Sequence, residues 1–192
     1  MGRRVSTEAG FTLIEMVIVV VLIGTVTAMA IPVMQNFNGA IALGSAQRTV
    51  ASELQLARMK SVTTNRVMRV RFNCPAANQL RTVEVIGTSS IPAPQDTAAN
   101  RCNPAVYPFP AADTNPVTFP NQDGPVRLLA SGVSIGAAQT IEFRPTGMAY
   151  SVNADGTSTV PLAGNGVSLT VTKGNKSKTI TVNALGRINA QQ

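Results

Sequence analysis

The most constraining feature is a run without charge. No Asp, Glu, Lys or Arg occurs between Glu15 and Arg48, and fifteen of the nineteen residues from Met16 to Met34 are apolar. About 20 helical residues cross the roughly 30 Å hydrocarbon core of a bilayer, so the run predicts a membrane-spanning helix. Arg3 and Arg4 precede it, which favours a cytoplasmic N-terminus by the positive-inside bias. The competing reading is a cleavable secretory signal. It would take Arg3 and Arg4 as its basic start, Met16 to Val26 as its apolar region and Ala28-Met29-Ala30 as its cleavage site. Two residues speak against it. Pro32 sits just past that cut, and Glu15 intrudes at the start of the apolar run. A carboxylate there costs a few kcal/mol to insert and wants a partner.

Gly10-Phe11-Thr12-Leu13-Ile14-Glu15, followed by an unbroken apolar stretch, resembles the class III leader of type IV prepilins and type II secretion pseudopilins. The match includes Gly before the cut, Phe after it, Glu five residues into the mature chain and a proline at Pro32. The resemblance implies that a membrane prepilin peptidase cuts between Gly10 and Phe11 and that Phe11 is then N-methylated. It also implies that the apolar helix stays on the mature protein, first as anchor and then as filament core. Inside a helical bundle an ionised carboxylate needs a positive partner. The new amine of Phe11 on a neighbouring subunit can supply it to Glu15, setting axial register between subunits. Pro32 removes one helical hydrogen bond and clashes with the carbonyl four residues back. A kink or local melting near Thr27 and Ala28 is expected.

Beyond Pro32 the pattern stays helical. Leu43, Ala46, Val50, Leu54, Ala57 and Ser61 recur at three- and four-residue spacings and form one stripe. One helix is therefore expected from Phe11 to Val62, its second half packed on a sheet. From Asn65 onward the period becomes two. Met68, Val70 and Phe72 fall on one face of a strand, and Val67, Arg69 and Arg71 on the other. Further strands are expected at 81–86, 126–129, 140–144, 167–172 and 178–182, with turns at Lys173-Gly174-Asn175-Lys176 and Pro145-Thr146-Gly147. The segment 87–125 carries eight of the twelve prolines and no periodicity. It is expected to be a surface excursion between strands. Cys74 closes the first strand and Cys102 lies inside the excursion. In an oxidising compartment they can form a bridge, worth roughly 3–4 kcal/mol on the chain-entropy model; a pair of reactive thiols is the alternative.

The end of the helix narrows the resemblance. Ala51-Ser52-Glu53-Leu54-Gln55-Leu56-Ala57-Arg58, with Asn65 and Val67 after it, is similar to the GspH/FimT group of minor pseudopilins. So are Phe143 to Gly147 and the ending Thr179-Ile180-Thr181-Val182-Asn183-Ala184-Leu185-Gly186-Arg187-Ile188. The resemblance covers both ends of the chain and misses 87–125. It implies an α+β, pilin-like fold: a long N-terminal helix, membrane-spanning in its first half, packed on an antiparallel β-rich domain. The expected organisation is a leader at 1–10, a transmembrane and filament-core helix at 11–34, an amphipathic continuation at 35–62 and a periplasmic domain at 63–192. The implied setting is the bacterial inner membrane, crossed once. The implied partners are other pilins or pseudopilins, in the tip or initiation complex of a secretion pseudopilus or a type IV pilus.

Charge raises a second possibility. The chain has 16 Lys and Arg against 9 Asp and Glu. Arg69, Arg71, Lys176, Lys178 and Arg187 would make a basic surface if the terminal strands lie close, and such surfaces bind phosphate backbones. Some members of the FimT group are DNA receptors with a Gly-Arg-x-Arg tail. Gly186 and Arg187 match it, but Asn189 stands where the second Arg would be. Other chemistry is thin. The chain has no histidine, which removes His-based metal sites and Ser-His-Asp or Cys-His nucleophiles. Asn153-Ala154-Asp155-Gly156-Thr157 is only faintly similar to a calcium loop, lacking its further carboxylates. No enzymatic activity, cofactor or metal is expected.

Overall fold

A computed structural model describes residues 10–110, 122–136, 140–153, 159–162, 164 and 166–191, with the backbone alone for 31–36. Arg3, Arg4, the middle of the excursion and most of the Asn153 to Thr157 loop lie outside the described residues. The chain forms two compact units, Met1–Gly39 and Ala40–Gln192.

Helix α1 spans Leu13–Thr64 and contributes to both units. Its start is set by Thr12: the Glu15 backbone N–H donates to the Thr12 carbonyl at 3.1 Å and to its hydroxyl at 3.4 Å. Its end is set by Asn65, whose φ of 55° is the left-handed conformation that terminates helices. The backbone is helical through Pro32. In the first unit, Leu13–Ala30 is long and apolar enough to cross a membrane, and none of it is buried. Within this run the two threonine hydroxyls fold back onto their own helix, Thr25 onto the Leu22 carbonyl at 2.9 Å and Thr27 onto Ile23 at 2.7 Å. Self-satisfaction of this kind suits polar groups that have no water nearby.

In the second unit the expected stripe is the buried face of α1: Leu43, Ala46, Val50, Leu54, Ala57 and Ser61 are all inaccessible. Small residues let the sheets approach closely, and the Ser61 hydroxyl donates to the Phe143 carbonyl at 2.9 Å. After β1 (Met68–Phe72) and β2 (Gln79–Glu84) comes a one-turn helix, α2 (Ala98–Arg101). Then follow β3 (Val126–Leu128), β4 (Ser134–Ile135), β5 (Thr140–Phe143), β6 (Ala149–Val152) and β7 (Thr159–Pro161). The chain ends with β8 (Val167–Lys173), β9 (Lys176–Val182) and β10 (Ile188–Ala190). They make two antiparallel sheets, ordered β3-β2-β1-β5-β6-β7 and β10-β9-β8-β4. Met68, Val70, Ile141 and Phe143 from the first sheet meet Leu169, Val171, Ile180 and Val182 from the second in one apolar cluster with the helix stripe.

Three separately noticed sequence features converge at the far end of this core. Arg58 donates from Nε to the Gly147 carbonyl at 3.1 Å and from Nη2 to the Leu185 carbonyl at 3.2 Å. Gly186, at φ 72°, packs so closely that a Cβ there would collide with the Gly147 carbonyl and the Arg58 guanidinium. The helix, the β5–β6 turn and the β9–β10 turn are thereby tied at one point.

The excursion departs from expectation. It is not a surface loop alone: its described parts lie over the face of the first sheet that points away from α1. Cys74 and Cys102 are joined in a disulfide, Cα to Cα 5.0 Å. Asp96, Arg101, Cys102, Tyr107 and Asp123 are all buried.

Candidate functional site

The N-terminal segment is the first site. Gly10, Phe11 and Thr12 are not helical, and Phe11 is 79% exposed. Nothing stands within 4 Å of Gly10 where a Cβ would be. A peptidase needs an accessible peptide bond outside a helix, and Gly10–Phe11 is both non-helical and exposed. Glu15 lies in the first turn of α1 and is exposed. A carboxylate there is favoured by the free N–H groups of the helix start.

The second feature is a buried charge network that sequence reasoning did not assemble. Arg69 and Arg71 were expected on an open basic face; instead they are 0% and 6% exposed. Strand alternation does turn them away from α1, but the excursion covers that face. Arg69 donates to Glu142 at 3.0 Å and to Asp96 at 3.1 Å. Arg71 donates to the Asp96 carbonyl at 2.9 Å. Arg101 reaches Asp123 at 2.6 Å and Asp96 at 3.3 Å, and stacks over the Tyr107 ring at 4.2 Å. Arg81 donates to the carbonyls of Gly124 at 3.1 Å and Arg101 at 3.0 Å. Asp123 in turn accepts from the Glu84 backbone N–H at 2.8 Å. Burial pushes the Asp96 and Asp123 carboxyls above the ordinary aspartate value, with the guanidiniums pulling the other way. Burial likewise raises Glu84 and lowers Arg71 and Arg81. What the arrangement does chemically is bind the excursion to the sheet.

All five described carboxylates of the second unit are consumed this way. Besides Asp96, Asp123 and Glu142, Glu53 pairs with Arg127 at 2.6 Å and Glu84 with Arg66 at 3.6 Å; all five are buried. Arg48, Arg58, Lys60, Lys173, Lys176, Lys178 and Arg187 have no carboxylate within ion-pair distance among the described residues. The one legible signal was two arginines, Arg69 and Arg71, on one strand face, followed by an excursion carrying aspartates.

The remaining candidates do not make one surface with these. Lys176 and Lys178 sit at the start of β9 and Arg187 follows its end. Six residues of strand, about 20 Å, separate Lys176 from Val182.

Residues 5–31 match the family model described as the prokaryotic N-terminal methylation motif. The chain therefore carries an N-terminal methylation motif. That motif contains Gly10, Phe11 and Glu15 and runs to the end of the apolar span. No curated protein matches the chain. Among solved structures, the chain is similar to the type IV minor pilin FimU of Pseudomonas aeruginosa strain PAO1, at 16% identity over 81% of this chain and 92% of that one, TM-score 0.48. It is also similar to the minor pseudopilin EpsH from the Type 2 Secretion System of Vibrio cholerae, at 9% identity over 78% and 95%, TM-score 0.41.

Proposed function

We propose that the chain is a minor pilin-like subunit that works by assembly and not by catalysis. The carrying observation is the methylation motif laid over an accessible Gly10–Phe11 bond and an unburied apolar span. A membrane peptidase removes residues 1–10 and Phe11 is methylated. The span anchors the protein in the inner membrane with the second unit in the periplasm, then packs laterally against other pilin or pseudopilin helices. Glu15 pairs with the Phe11 amine of a neighbour. Pro32 softens the helix below the domain and eases its passage from bilayer to filament. A secretion pseudopilus and a type IV pilus both fit this chemistry.

Mass spectrometry of the membrane-extracted protein tests the reading. The expected N-terminus is methylated Phe11; one at Ile31 would replace the reading with a cleaved signal and a released domain. The alternative of DNA uptake loses its geometric support with Arg69 and Arg71 buried and Arg187 distant from Lys176.

A further inference from the structure

The tip of the β8–β9 hairpin carries Lys173, Lys176 and Lys178, and these point to a lipid surface. Lys173 and Lys176 pair directly across the hairpin, and Lys178 pairs with Val171. By strand alternation all three lie on the same side of the second sheet as Leu169, Ile180 and Val182; Lys176 is exposed, while Lys173 and Lys178 are half-buried, Lys178 opposite the core residue Val171. No described carboxylate pairs with any of them; Lys173 donates to the Ser131 carbonyl at 2.8 Å.

Their height along α1 follows from two hydrogen bonds. Gln47 on α1 donates to the Thr179 carbonyl at 3.1 Å, and Arg58 to the Leu185 carbonyl at 3.2 Å. So β9 runs parallel to α1. Three strand residues back from Thr179 is about 10 Å, or six to seven helical residues back from Gln47. That puts Lys176 level with the stretch around Ala40, where the chain enters the second unit. Arg48, one residue from Gln47, is exposed like Lys176. The apolar span ends at Ala30, and the ten residues from there to Ala40 reach about 35 Å at full extension. Chain length therefore tethers this end of the unit within that reach of the span's end.

We infer that Lys173, Lys176 and Lys178, helped by Arg48, dock the second unit on anionic phospholipid headgroups while the subunit is still a membrane monomer. The inference rests on reading Leu13–Ala30 as a membrane anchor. Three ammonium groups without carboxylate neighbours suit phosphate and are favoured near anionic lipid, each by about fivefold in affinity. The attraction decays within a Debye length and weakens with salt, so leaving the bilayer for a filament breaks it.

The test uses the full processed chain in nanodiscs of phosphatidylcholine alone, or of phosphatidylcholine mixed with phosphatidylglycerol. Hydrogen exchange is followed at the turn amides of Gly174 and Asn175. The expected result is at least fivefold slower exchange in the anionic discs, abolished by high salt and by K176Q/K178Q. Core amides of Ile180 and Val182 should exchange alike in variant and parent, which shows that the variant is folded. Equal turn exchange in both kinds of disc overturns the inference. So does protection that survives K176Q/K178Q, or protection that appears only when duplex DNA is added. A chain that fails to stay with the discs at all overturns the anchor reading itself, which distinguishes the two failures.

Discussion

Asp96 is the residue on which the excursion depends most. It sits among Arg69, Arg71 and Arg101, and removing it leaves three guanidiniums buried against each other. Taking one partner from a buried charge pair costs about 3–5 kcal/mol. Asp96→Ala should lower unfolding stability by that order in chemical denaturation, and Asp96→Asn, which keeps the shape and an acceptor, by clearly less. The same carboxyls set a pH dependence. Burial raises Asp96, Asp123 and Glu84, so the folded state holds protons more tightly than the unfolded one. Their contribution is complete below the unfolded values and is lost as pH rises through the folded ones. Thermal melts should therefore show a higher midpoint as pH falls from neutrality toward the ordinary carboxylate range. Gly186 offers a steric counterpart. Gly186→Ala forces a Cβ into the Gly147 carbonyl at a positive φ, and a loss of about 1–3 kcal/mol is expected in the same measurement.

Among elements, the long helix and its buried stripe were legible because six residues kept a single period. Strands β1, β2, β5, β8 and β9 were legible for the same reason, and the Gly174-Asn175 turn by its composition. The short strands divided: β3 and β5 fell where strands were expected, at 126–129 and 140–144, whereas β4, β6, β7 and β10, of two to four residues, were too short to show alternation and are defined by their pairing. The fate of Arg69 and Arg71 was illegible for a different reason. Alternation correctly turned them from the helix, but whether that face meets water is decided by a segment 25 or more residues away with no pattern of its own. The disulfide was legible as a possibility, and it holds that segment at one end. Changing Cys74 and Cys102 to serine should cost roughly 3–4 kcal/mol on the loop-entropy account. Limited proteolysis should then cut first within residues 87–110, where the parent resists.

For the whole molecule, assembly should turn on the N-terminal carboxylate. Glu15→Leu is expected to leave cleavage and methylation at Phe11 intact while reducing recovery with partner pilins in a pull-down; undiminished recovery would deny it a register-setting role. The two units differ in what they expose: Leu13–Ala30 leaves its apolar side chains unburied, and the second unit keeps its described acids inside.

That last arrangement has a consequence for how the protein meets its surroundings. With no histidine in the chain and every described carboxylate of the second unit buried, the charged groups left facing water on the described surface of that unit are lysines and arginines. That surface therefore presents charge of one sign, its balancing carboxylates spent in the interior. Whatever this surface adheres to, ionic strength should set the strength of the contact.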